Sequence, residues 1–174
     1  MKKNISFMSK FWIVIPILLL FFILNKHIII ILSILIPAIL MIHKRFVGLV
    51  LGIDVCIVFG ILSSNKFGPK IGAIVGGVSF LIGMIISLEI SKSPITTFYG
   101  TAFYMLMGIL GAIIPVSILF NQTILLLLIV NVLFFIGLKF LGAPFEFLVR
   151  YTFSNLLTNL IFIRIFEPLL KIMF

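Results

Sequence analysis

Long apolar runs separated by short polar breaks make up almost all of the 174-residue chain. The runs cover residues 11–24, 28–42, 46–62, 71–90, 97–120, 123–141 and 147–174; the breaks between them read NKH, HKR, SSNKFGPK, SKSP, NQ and LGAPFE. A helix that crosses a bilayer needs about 20 residues and rarely fewer than about 17. The last four runs exceed that length and the third just reaches it. The first two are short, and each carries a proline, Pro16 and Pro37. They form either a hairpin of two short spans or one crossing and one buried or interfacial segment. The pattern predicts an all-α polytopic integral membrane helix bundle, one domain over residues 1–174, with six transmembrane helices and seven as the alternative.

Composition agrees. Hydrophobic residues make up 63% of the chain, and the mean hydropathy is +1.44. A soluble fold of this size cannot hide so much apolar surface, whereas lipid needs no hiding. Lys and Arg number 13 against 4 Asp and Glu, a net charge of +9. In a soluble protein that excess would suggest nucleic acid. Here the basic residues fall mainly in the breaks and near the ends, so anionic headgroups and cytoplasmic loops are the expected partners. Seven spans place Lys44, Arg45, Lys92, Lys139 and Arg150 inside; six spans place Lys66, Lys70, Arg164 and Lys171 there instead. Both arrangements put the N-terminus in the cytoplasm and disagree about the C-terminus. The opening MKKNISFMSKFWIVIPILLLFF has the basic and apolar regions of a signal peptide without a small-x-small cleavage site, and reads as an uncleaved first membrane segment.

Catalytic chemistry finds little material. Cys56 stands alone in an apolar run, His27 and His43 lie in breaks without the spacing of a metal pair, and no nucleophile accompanies them. No enzyme activity, metal or cofactor is expected.

Small residues recur at helical spacing. Gly72, Gly76, Ser79, Gly83 and Ser87 share one face; Thr97, Thr101, Tyr104, Gly108, Gly111 and Pro115 share another; Gly48, Gly52, Cys56 and Gly60 share a third. In a bilayer such faces let helix backbones approach closely. The seams are internal, or they dock another membrane subunit. Gly68-Pro69 turns the chain into the fourth run.

Polar residues within apolar runs are costly and point to function. Asp54, about ten residues past HKR, reads as a mid-helix residue contacting a ligand, proton or cation, or bonding internally. The last run carries Tyr151, Ser154, Asn155, Thr158 and Asn159 on one face, with Glu146 and Arg150 paired by spacing at its start and Arg164, Glu167 and Lys171 near its end. Asn155, Asn159, Thr158, Arg150 and Tyr151, with Asp54, are the candidate ligand wall. Glu89 and Lys92 are expected among headgroups.

The segment FGPKIGAIVGGVSFLIGMI resembles the opening of the third helix in substrate-binding S components of energy-coupling factor (ECF) transporters, through Gly68, Pro69, Gly72, Ala73 and Gly76. Asn155 or Asn159 matches an asparagine frequent in that family's final helix. The resemblance implies a six-helix bundle with both termini in the cytoplasm. Such a bundle captures a vitamin or metal from outside and docks on a transmembrane coupling subunit driven by ATPases. The Ala-x-x-x-Ala motif of that family's first helix is absent from the first two runs. The chain is also similar to the MreD family, through Gly48, Gly52 and Asp54, which implies a non-catalytic scaffold for cell-envelope assembly. Richness in Ile, Phe, Lys and Asn suggests a prokaryotic source and hence a prokaryotic plasma membrane.

Overall fold

The computed structural model describes residues 25–43, 46, 54–91 and 94–174. The run at 11–24, the breaks' Lys44, Arg45 and Lys92, and the glycines Gly48 and Gly52 lie outside them. The described residues are helical, without strands: α1 Lys26–Leu40 continued by a 3-10 turn Met41–His43, α2 Cys56–Phe67, α3 Pro69–Ile86, α4 Pro94–Leu110 continued by a 3-10 turn Gly111–Ile113, α5 Val116–Asn121, α6 Thr123–Phe140 and α7 Phe145–Met173. Among the described residues, four segments are long and apolar enough to cross a membrane: Lys26–His43, Pro69–Ile86, Pro94–Ile113 and Thr123–Phe140.

Two predicted runs are redrawn. The run at 97–120 is not one helix. Proline disfavours helical backbone in the residue before it, and Ile114, ahead of Pro115, is extended at φ −93°, ψ 107°. The chain breaks there and restarts as the six-residue α5. In the run at 46–62, Phe46 is helical, residues 47–53 lie outside the described residues, and a helix runs from Cys56 through SSNKF to Phe67. Twelve residues make about 18 Å of helix, well short of a bilayer core of about 30 Å.

α2 needs no lipid face. Every residue from Cys56 to Ser64 is buried, the signature of a helix enclosed by others. α1, α3 and α4 pack around it, and Phe59 meets Phe162 of α7. The outer helices show the opposite pattern. Ile31 and Ile39 of α1, Phe98 of α4, Ile129 and Phe140 of α6 and Phe153 of α7 are all exposed. An apolar skin of this extent is a liability in water and a fit to acyl chains.

Residue contacts give the helix directions. Lys26 opens α1 and lies 6.0 Å from the ring of Phe67 at the end of α2; Met41, past the end of α1, meets Cys56 at the start of α2 through a 3.7 Å sulfur contact. α1 and α2 are therefore antiparallel. Gly68, at φ +96°, reverses the chain, and Pro69 opens α3 where its missing N–H costs nothing. α4 returns parallel to α2, because Gly60 faces Gly108 and Gly111 faces Ile61. α6 runs against α4, with Tyr99 near Phe134 and Gly137. α7 runs parallel to α2 and ends with the Lys66 ammonium donating to the Met173 carbonyl at 2.5 Å.

The glycine faces meet one another where α2, α3 and α4 join. A Cβ on Gly72 would stand 2.6 Å from the Gly108 carbonyl oxygen and 2.8 Å from that of Gly60; one on Gly76 would stand 2.5 Å from the Tyr104 carbonyl oxygen. Gly111 abuts the Ile61 backbone, and Gly83 abuts Met41. These seams lie inside the bundle. Asn65, in the break before Gly68, adds a polar clasp: its amide donates to the carbonyls of Gly111 at 2.7 Å and Ile114 at 2.9 Å. The Ile114 carbonyl lies past the helical end of α4, where intrahelical donors run out, and the Gly111 carbonyl also accepts the Ile114 N–H at 3.2 Å.

Past α3 the chain turns through Leu88 at φ +61°. The Glu89 N–H closes the turn on the Met84 carbonyl at 3.0 Å. Glu89 is thereby tucked under the end of α3, 1% exposed, and does not stand among headgroups as its position near a charged break suggests.

Two stability outcomes follow. Gly72→Val forces the α2–α3–α4 seam apart and lowers stability by about 1–3 kcal/mol, the range for overpacking. Leu88→Gly releases a left-handed backbone that costs a non-glycine residue about 1–2 kcal/mol. Thermal unfolding in a mild detergent checks both; the melting temperature falls for the first and rises for the second.

Candidate functional site

Polar residues of two helices, α4 and α7, converge on Asp54. This residue lies immediately ahead of α2, not in mid-helix as its place in the apolar run suggests, and it is 0% exposed. Its carboxylate Oδ2 accepts the hydroxyl of Tyr104 from α4 at 2.8 Å and that of Tyr151 from α7 at 2.6 Å. Because the helical ladder opens with the Phe59 N–H on the Val55 carbonyl, the Asp54 carbonyl falls outside it. A carbonyl in an apolar interior requires a donor. Asn159 supplies it, its Nδ2 standing 2.8 Å from that oxygen.

α7 can present these groups together because Tyr151, Asn155 and Asn159 are four residues apart and share one face. Asparagine is a weak helix former, since its side chain competes for backbone partners. Here that tendency is used: the Asn159 amide also donates to the Asn155 carbonyl at 2.9 Å and to the Asn155 Oδ1. Phe134 of α6 covers the two tyrosines, its ring centre 5.7 Å from each. Phe80 of α3 lies 4.8 Å from the Tyr104 ring. Asp54, Tyr104, Tyr151, Asn155 and Asn159 are all buried, so the knot is closed to solvent and lipid in this conformation.

Of the candidate ligand wall, the structure brings together Asp54, Tyr151, Asn155 and Asn159. Thr158 is half-buried one step around α7 from Asn159. Arg150 is exposed near the start of α7, away from the buried face, and forms no ion pair with Glu146 among the described residues. The spacing of the last helix identifies its buried polar face but not the edge of that face. Tyr104 and Phe134 were missed. Tyr104 sits in the small-residue row of α4 at the same step as its glycines, so its phenol signals nothing separate. Phe134 is one of 20 phenylalanines, and nothing in the linear pattern marks it. Asn131 of α6 was also missed; it is buried, and its amide donates to the Leu127 carbonyl at 2.8 Å.

The arrangement offers one carboxyl group, two phenols and two carboxamides, a set able to donate and accept at close quarters. No group of three or more His, Cys, Asp or Glu side chains that could hold a metal ion occurs among the described residues.

Replacing Asn159 with Leu strands the Asp54 carbonyl, at a cost of about 1–3 kcal/mol for an unsatisfied buried group. Tyr104→Phe or Tyr151→Phe alone costs less, because Oδ2 keeps the other hydroxyl. The double Phe variant loses more than the sum of the two single changes, as residues in one network do. Thermal unfolding of the four variants measures the order and the non-additivity. Compared with known proteins, the chain matches no family model, no curated protein and no solved structure.

Proposed function

We propose that this protein is a membrane-embedded subunit that captures a small polar molecule for import, with the knot around Asp54 as its recognition element. The observation that carries the reading is the convergence of Tyr104 of α4 and Tyr151, Asn155 and Asn159 of α7 on Asp54, ahead of α2, at one buried point. Ionisable residues at bilayer depth are expensive and are kept mainly where they serve a pathway or a ligand. Non-helical backbone beside such a residue adds carbonyls to the recognition set, as in transporters whose helices break at the substrate site. A vitamin-sized molecule or a metal ion is the ligand class that the S-component resemblance suggests, and a transmembrane coupling subunit with ATPases is the matching partner. Admission of ligand requires α7 to part from α2 and α4, since the three helices close on the knot. The glycine seams are occupied internally, so a coupling partner must use another face, and the plasma membrane of a prokaryotic cell is the proposed location.

A second reading has its own support. The knot is closed, and the hydrogen bonds described for it are internal, which suits a rigid scaffold for cell-envelope assembly.

Purification from native membranes in mild detergent, with mass spectrometry of bound small molecules, separates the readings. Import capture gives a stoichiometric ligand in the wild type. Tyr151→Phe retains the fold but binds about tenfold more weakly, the equivalent of about 1.4 kcal/mol. The double change Asn155→Leu, Asn159→Leu releases the ligand altogether. Ligand retained undiminished in that double variant removes the knot as the site. No ligand in the wild type, with envelope proteins bound instead, favours the scaffold.

A further inference from the structure

A furrow follows the junction of α6 and α7, and its walls change chemistry along the way. At one end, a cavity of about 320 Å³ is walled by Asn121, Gln122, Thr123 and Arg164, with Leu125 and Leu128 among its apolar lining. Further along lies a trough of about 480 Å³ lined by apolar side chains of both helices, Val132, Ile136, Val149 and Phe153 among them, with Thr152 the one polar residue. Leu128 borders both, so the two spaces adjoin. The helix from Thr123 to Ile136 rises about 20 Å, comparable to an extended acyl chain.

The polar end is cationic. Arg164 lies 3.9 Å from Glu167, and Lys171 lies 2.7 Å from the same carboxylate. Two cations therefore share one anion, and an uncompensated positive charge remains. The Lys171 ammonium is also 5.2 Å from the ring centre of Phe120, next to Asn121 at the mouth. Both basic side chains are more than half exposed. The trough residues Leu128, Val132, Ile136, Val149 and Phe153 are exposed as well.

We infer that this furrow seats one phospholipid with an anionic headgroup: its phosphate meets Arg164 and Lys171, and one acyl chain lies in the trough from Leu128 to Ile136. The charge at the mouth selects the headgroup, because guanidinium and phosphate match in geometry and sign. The dry trough takes the chain. A partner helix would satisfy the trough but would leave the cationic mouth without a counterpart. The site is separate from the Asp54 knot and stands whichever role the knot has.

The test is native mass spectrometry of the full chain after exchange into equimolar phosphatidylglycerol and phosphatidylcholine. The wild type retains one lipid, with phosphatidylglycerol preferred at least fivefold. Arg164→Ala brings that preference close to one. Glu167→Gln, which frees both cations, increases it. Val132→Trp, on the exposed surface and so harmless to the core, fills the trough and removes retention of either lipid. Melting temperatures of the variants confirm that they fold. Equal retention of the two lipids by the wild type overturns the inference, as does unchanged phosphatidylglycerol retention in the Arg164 and Val132 variants. A photo-crosslinker in place of Val132 that captures protein, either residues 11–24 of this chain or a second copy, overturns it too.

Discussion

The bundle is arranged around a helix, α2, in which every residue from Cys56 to Ser64 is buried. Its first two turns, Cys56 to Leu62, are apolar on every side, and burial of such a segment in a bilayer gains almost nothing from the hydrophobic effect, since lipid is as apolar as its neighbours. What holds it must be shape and polar bonding. The glycines of α3 and α4 supply shape, because they let backbones approach to distances that a single methyl group would forbid. The polar bonding sits at its two ends: Asp54 with the tyrosines and Asn159 at one, Asn65 and Lys66 at the other.

The two ends differ in kind. At the Asn65 end, carbonyls that end a helix receive side-chain donors, which any helix terminus in an apolar setting requires. At the Asp54 end, a carboxyl group is buried where an apolar side chain would be easier to accommodate. Buried polar groups that could be replaced at little cost in stability are weak evidence for stability and better evidence for specificity or function. That asymmetry is why the functional proposal rests on Asp54 and not on Asn65, although both lie deep in the bundle.

How much of this was legible in the sequence depends on whether the signal is local. Glycine in an apolar run has few uses, so the seams at Gly72, Gly76 and Gly108 follow from spacing alone. The shared face of Tyr151, Asn155 and Asn159 is likewise written in one helix. The break before Pro115 was also readable, because the restriction on Ile114 is local, yet the apolarity of the whole run hid it. What spacing could not supply was pairing. Asp54 and Tyr151 are separated by 97 positions, and nothing in either segment specifies the other.

The ring of Phe67 has a consequence for topology. Lys26 lies 6.0 Å from it and Phe174 6.4 Å from it, so the start of α1 and the end of α7 stand on one side of the molecule. Among the described helices, α1, α3 and α6 run one way and α2, α4 and α7 the other. The relation between Met1 and Phe174 is then a matter of parity, set by how often residues 1–24 cross. An even number of traverses there puts both ends in one compartment, and an odd number divides them. A pair of reporters, one at each end, reads the parity directly, without any knowledge of how the helices between them are packed.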